Sequence, residues 1–388
     1  MTDQHDPGAL EAIVLDHEVD RVEDRLRAVL YEEGLDAILL CGADLAGWLT
    51  GYFRYGSGAS AALLQPGRPI RLLVPSFEVA LAEVATATRH VDVRPSTQRG
   101  FGMLADPVPD LRAALLDLPD VARYTRWAAV GAPWLISDAS LGEVVDGSSY
   151  VSRLRLVKDP VERAAIAHAD SLCWAAQEAV ATALSGPTSE LDLFSLARLT
   201  GERRHGQPVD FYADVVAGVA TGDVGAPVAV PGARVIGEGE GVIVDLVFGA
   251  SGYWGDVTWT HVRGANDEVH EVRGRLVEVM EAVAGELVPG RRCAELYASL
   301  ARRIDEAVPG AVFAHHGGHG IGLAGYEAPF ITPWDETELA EGMVLAIEPG
   351  CYFPKRVGVR VERDYVVTAR GGQELPGRPA TMGTRRSA

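Results

Sequence analysis

Residues 241–260 read GVIVDLVFGASGYWGDVTWT, two apolar runs on either side of a Gly-Ala-Ser-Gly segment at 249–252. Runs so rich in β-branched and aromatic residues predict strands, and the segment between them predicts a turn that folds one strand back on the other. Asp245 lies inside the first run among valine, isoleucine and leucine, and Asp256 follows in the second. An unpaired carboxylate in such surroundings protonates or costs several kcal/mol. The hairpin brings the two acids close, where like charges repel unless a cation sits between them.

Two further acids repeat the pattern downstream: Glu348 in VLAIEPG and Glu362 in GVRVERDYVV. His319 stands in HHGGHGIGL, where glycines permit tight backbone and leave the imidazole room to reach a metal. Each acid alone reads better as a strand-edge carboxylate turned to solvent or paired with Arg263, Arg360 or Arg363. Together, two aspartates, two glutamates and a histidine make an oxygen-rich anionic set. It suits two divalent ions that share bridging carboxylates, with Mn, Co, Fe or Zn favoured over a thiolate metal.

The rest of the chain sets the frame. At 388 residues it fits two domains, and its net charge of −19 repels phosphate, which argues against nucleic acid and anionic membrane as partners. The first twenty residues, polar and acidic, lack the pattern of a signal peptide, and no run of eighteen apolar residues occurs, so a soluble, cytoplasmic protein is expected. Cys41, Cys173, Cys293 and Cys351 are widely spaced in apolar contexts and read as buried small hydrophobes.

A helical pattern over 20–34 stops at Gly34, and strand candidates follow at 36–42, 61–64, 69–74, 91–93 and 127–130. These predict an α/β domain over residues 1–153. Asp159-Pro160 then reads as a helix start, with the helix running to about 184 and a second one from Ser189 to Gly206. Strands at 242–247, 253–262, 343–347 and 357–367, with helices at about 267–286 and 292–307, predict an α+β domain over 154–388.

The motifs DLVFGASGYWGDVTWT, HHGGHGIGL, GMVLAIEPGCYF and GVRVERDYVVT resemble, in order, the metal-ligand motifs of the M24 metallopeptidases, a family that includes aminopeptidase P, prolidase, methionine aminopeptidase and the non-peptidase creatinase. RLRLVKDPVERAAI is similar to the segment that opens the family's catalytic domain, and GLDAILLCGADLAGWLTGY to the start of its creatinase-type amino-terminal domain. The resemblance implies a pita-bread catalytic fold behind a smaller α/β domain, with Asp245, Asp256, His319, Glu348 and Glu362 holding two metal ions. It implies attack on a carbonyl by metal-activated hydroxide, with Glu348 handling the proton. His315 matches a histidine that lines the site in the aminopeptidase P and prolidase branch; satisfaction by loop carbonyls is its rival role. His316 is expected to be packing or surface. Arg360 is expected to orient an acid of the set through a charge-assisted hydrogen bond.

The chain also departs from the family. Where the peptidases carry a substrate-handling histidine after a proline, Pro227 is followed by Val228; seven residues after His319, a second family histidine is replaced by Tyr326; Val247 replaces a glycine, and Trp259 an arginine. Val228, Tyr326 and Trp259 are therefore expected to line the substrate pocket, Tyr326 either as an oxyanion donor or as a plug. The first expectation is a hydrolase of the Xaa-Pro peptidase type acting on a small peptide or related amide, in a homodimer. Its rivals are a non-peptidase enzyme that cleaves a C–N or other carbon–heteroatom bond in a small zwitterion, and a catalytically inert binding module.

Overall fold

A computed structural model of the chain describes residues 22–53, 60–96, 107–136, 138, 140–223 and 230–382. They form two compact units, Met1–Arg155 and Leu156–Ala388.

The first unit is built on a mixed six-stranded sheet of β1 (Ile38–Cys41), β2 (Ala61–Leu64), β3 (Ile70–Val74), β4 (Val91–Pro95), β5 (Arg126–Val130) and β6 (Glu143–Asp146), in the order β4-β3-β2-β1-β5-β6. Central strands β1 and β2 are buried at every position, which explains why they read as unbroken apolar runs. The helix at 22–32 ends before Gly34, whose φ of 61° is the left-handed value glycine adopts without penalty. Leu39, Leu63, Leu73, Leu115 and Trp127 form the centre of this unit's core.

In the second unit, β7 (Asp210–Ala217), β8 (Gly241–Ala250) and β9 (Tyr253–Val262) form an antiparallel sheet with β8 in the middle. β8 and β9 join through Ser251 and Gly252, with φ of 53° and 81°, the paired positive values that a two-residue hairpin needs. The helix Pro160–Ala183 packs against both strands. Its start is fixed by a capping box: Asp159 accepts from the Val161 and Glu162 amides, while Glu162 accepts from the Asp159 amide. A second sheet runs β11 (Glu327–Phe330), β10 (Gly318–Gly320), β12 (Val344–Ile347), β15 (Arg363–Thr368) and β16 (Gly371–Glu374), and β13 (Gly350–Phe353) pairs with β14 (Val357–Arg360).

The single strand expected over 357–367 is two. β14 and β15 belong to different sheets and part at Val361 and Glu362, where Val361 bridges to Trp259 and the Glu362 amide donates to the Thr258 carbonyl at 2.9 Å. That switch ties the hairpin to the second sheet. β6, β7, β10, β11, β13 and β16 were not anticipated from the sequence; all but β7 are only three or four residues long and carry little periodic signal. The four cysteines are buried and unpaired.

Candidate active site

Side chains alternate along β9, and its two faces do different work. Residues 255, 257, 259 and 261 face the helix Pro160–Ala183. Gly255 passes so close that an added Cβ would lie 2.2 Å from the Asp170 amide nitrogen, and His261 meets Gln177 at 2.8 Å. Asp256, Thr258 and Thr260 face the other way, toward β14 and β15. On β8, register places Asp245 opposite Thr258 and Val247 opposite Asp256, so the two acids share one face.

His319, on β10, is almost fully buried. Its Nδ1–H donates to the Gly320 carbonyl at 3.0 Å, which leaves the Nε2 lone pair directed into the site. Nε2 lies 3.7 Å from Asp256 Oδ2, 3.8 Å from Glu348 Oε1 and 3.8 Å from Glu362 Oε1. These separations are too long for hydrogen bonds and suit groups spaced around a cation. Asp256, His319 and Glu362 offer ligand atoms that all lie within 4.8 Å of one another. Asp245 Oδ1 and Asp256 Oδ1 are buried with no hydrogen-bond partner, so the acid set is short of positive charge by its own geometry. Burial pushes the Asp256 carboxyl well above its ordinary range, and the neighbouring acids Glu362, Asp245, Asp364 and Glu348 push it further. Glu362 is raised in the same way, first by burial and then by Glu348 and Asp245.

The surroundings orient these groups. Thr258 Oγ1 donates to Glu362 Oε2 at 2.7 Å. Arg360 Nη2 donates to Asp245 Oδ2 at 2.5 Å, the kind of charge-assisted bond expected of this arginine. Its Nη1 meets the Tyr352 hydroxyl at 3.3 Å, Tyr352 meets His315 Nε2 at 3.0 Å, and His315 Nδ1 meets the His316 carbonyl at 2.7 Å. A chain of hydrogen bonds thus runs from Asp245 to His315. It brings in Tyr352, which the sequence did not single out.

His316 is corrected from packing or surface to the site itself. Its Nδ1 lies 2.8 Å from Glu348 Oε1, its Nε2 contacts the Tyr326 hydroxyl, and it lines the inner cavity. Burial alone would raise the Glu348 carboxyl, but the imidazoles of His316, His315 and His319 hold it down to about 2. Tyr326 lies over His319 with ring centroids 4.0 Å apart, half-exposed at the cavity mouth. Asp364, also overlooked, accepts from the Asp256 amide at 3.1 Å, and its burial raises its carboxyl to about 7. Its signal was available, because Glu362 and Asp364 are two apart in the segment that the sequence reads as one strand.

Trp259 is also corrected. The expectation that it lines the substrate pocket fails because an odd-numbered residue of β9 points away from Asp256: the indole is buried in the core, 6.2 Å from the Trp174 ring at 63°, with the Arg273 guanidinium 5.1 Å from its centroid. Trp259→Phe should therefore lower stability by about 1–2 kcal/mol and leave KM unchanged within about twofold; a large KM change at unaltered stability would contradict this placement. Val228, with Pro227 before it, lies outside the described residues.

A family profile for metallopeptidase family M24 matches residues 161–369, and one for the creatinase/prolidase N-terminal domain matches 23–157. The chain is 37% identical over 150 residues to the Xaa-Pro dipeptidase of Pyrococcus furiosus, a match covering 38% of this chain and 43% of that one. It is 28% identical over 370 residues to the peptidase YqhT of Bacillus subtilis, covering 92% and 98%. The chain spans about two-thirds or less of the length of the first curated relatives it matches, 66% of one and 43% of two others. Among solved structures, the prolidase of Pyrococcus horikoshii OT3 superposes with a TM-score of 0.77 at 22% identity, covering 92% of this chain and 98% of that one. That likeness extends over both units and shows the architecture, a pita-bread catalytic fold preceded by a creatinase-type α/β domain. Since the M24 profile spans more than half of the chain, the protein belongs to metallopeptidase family M24.

Proposed function

We propose that the protein is a metal-dependent hydrolase that cleaves a peptide or related amide C–N bond in a small substrate of the Xaa-Pro type, with residues 154–388 as its catalytic domain. The observation that carries this is the His319 imidazole with its Nε2 free and three carboxylates at 3.7–3.8 Å. Buried acid oxygens without partners fit a divalent cation, and the oxygen-rich donor set suits Mn, Co, Fe or Zn. Asp245, Asp256, His319, Glu348 and Glu362 would hold two such ions. Bound there, the metal supplies Lewis acidity, polarising a carbonyl and acidifying water.

The chain's own residues do the remaining work. Glu348, 2.8 Å from the His316 imidazole, takes up and returns the proton at its carboxylate. Arg360 holds Asp245 in one orientation while leaving Asp245 Oδ1 without a protein partner. His315, held through both ring nitrogens by Tyr352 and the His316 carbonyl, lines the cavity, and Tyr326 covers His319 at its mouth.

Resemblance to the family supports a homodimer in the cytoplasm, which sedimentation velocity and cell fractionation would test. No helix among the described residues is long and apolar enough to cross a membrane.

Asp256→Asn removes charge but not size, so it should lose bound metal and turnover together, whereas His315→Ala should keep its metal and lose about 10²-fold or more in turnover. Metal content by mass spectrometry beside kcat separates the two. Loss of metal from the His315 variant would mean that the ligand histidine is misassigned. A panel of Xaa-Pro dipeptides, longer Xaa-Pro peptides and small zwitterionic amides tests the substrate: turnover of the zwitterions alone would transfer the site to the non-peptidase reading, which the replacement of a family histidine by Tyr326 favours.

A further inference from the structure

A second cavity, of about 590 Å³, opens beside the first and shares His316 and Tyr326 with it. Three aromatic rings line it: Tyr326, Phe330 and Trp334, of which Trp334 is 78% exposed although it is the largest apolar side chain on this wall. Tyr326 and Phe330 stand 5.5 Å apart at 39°, presenting adjoining ring faces. Asp335 and Glu336 supply the charge, and among the described residues no arginine or lysine lines the cavity.

The Asp335 carboxylate is fixed by the Phe330 amide on Oδ2 and the Thr337 amide on Oδ1, both at 2.8 Å, and it meets no cationic side chain among the described residues. Glu336 pairs with Arg292 at 3.2 Å, but that guanidinium also serves Glu338 at 3.7 Å, so two carboxylates divide one cation. At the cavity wall Thr332 is 8% exposed, and its hydroxyl is buried without a hydrogen-bond partner. A buried hydroxyl left unpaired costs free energy, and its oxygen can accept from a bound N–H donor.

Aromatic faces attract cations through their ring quadrupoles, carboxylates attract them by charge, and an alkyl stem packs on ring faces. A carboxylate ligand would meet repulsion from Asp335 and Glu336. We propose that this outer cavity is a binding subsite for an alkyl-stemmed cation, the guanidinium or ammonium of an arginine or lysine side chain. It rests on the hydrolase reading for its place in catalysis, because the shared wall of His316 and Tyr326 would hand a bound peptide on to the acid cluster. Its binding chemistry stands apart from that reading.

The test uses the full chain and calorimetric titration with three probes that share one capped backbone: N-acetyl-argininamide, N-acetyl-norleucinamide and the α-amide of N-acetyl-glutamic acid. The arginine probe should bind at least about tenfold more tightly than the norleucine probe, and the glutamate probe should show no binding. Trp334→Ala, a change at an exposed position, should weaken the arginine probe about tenfold, and Glu336→Gln should weaken it severalfold. Asp256→Asn should leave it unchanged even while abolishing hydrolysis, so failure of the hydrolase reading and failure of the subsite are separable. Equal affinity for the arginine and norleucine probes would overturn the proposal. So would binding that Trp334→Ala leaves intact, or binding lost in Asp256→Asn, which would place the probe in the inner cavity.

Discussion

Stripping divalent metal from the protein should abolish hydrolysis and lower the thermal unfolding midpoint in the same titration. The cause is electrostatic. Asp256 and Glu362 are buried, burial and mutual repulsion push their carboxyls upward, and Asp245 Oδ1 and Asp256 Oδ1 have no protein donor to replace the cation. A ligand that binds only the folded state stabilises it by about 4 kcal/mol at a thousand times its dissociation constant. For a catalytic unit of this size each kcal/mol moves the midpoint by about 2–4 °C, so a fall on the order of 10 °C is expected. Calorimetry with and without EDTA, with metal content measured on the same samples, checks both halves. Full activity in a sample stripped of metal would falsify the assignment of the acid cluster, and restored activity without restored stability would mean that the ions sit outside this core.

The hairpin was legible because one segment carries three signals at once: apolar runs, a Gly-Ala-Ser-Gly turn, and acids placed against their surroundings. His319 was legible for the same reason, a polar ring among glycines in an apolar frame. Faces of strands were harder. Trp259 shares a motif with Asp256 but not its face, and strand alternation counted from Asp256 is enough to assign it to the helix side. His316 could not be separated from its neighbour His315 by composition, since both stand in the same short run and only the path into β10 decides where each ring goes. Tyr352 was invisible because its role depends on β13 pairing with β14, a contact between two four-residue strands that leaves almost no period in the sequence. Asp364 was visible in the spacing yet resembled an ordinary strand acid until its donor proved to be the Asp256 backbone.

Lys158→Met should destabilise the second unit by about 3–5 kcal/mol, the range for breaking one side of a buried ion pair. Lys158 stands just before the Asp159 helix cap. It is 2% exposed, and its Nζ lies 2.7 Å from Glu327 Oε1, itself nearly covered. Between them passes Gly322, where a Cβ would come within 2.7 Å of the Glu327 carboxylate and 2.9 Å of Lys158 Cε. Trp254 donates its amide to the Gly322 carbonyl at 2.9 Å, and the Ala324 amide reaches Glu327 Oε2 at 3.3 Å. The ion pair is thus the base of the loop that presents Tyr326 to both cavities. Methionine keeps most of the stem but takes the compensating charge away from the nearly covered Glu327 carboxylate. Adding Glu327→Leu removes the uncompensated charge, so the double variant should recover at least half of the lost stability, although each change alone is harmful. Because the loop carries Tyr326 and none of the four acids or the imidazole proposed to hold metal, the single variant should keep its metal while KM rises. Denaturant unfolding of the two single variants and the double variant closes the cycle. A loss below about 1 kcal/mol, within the range of an exposed ion pair, would show that solvent reaches this lysine and that the loop is held by its backbone bonds alone.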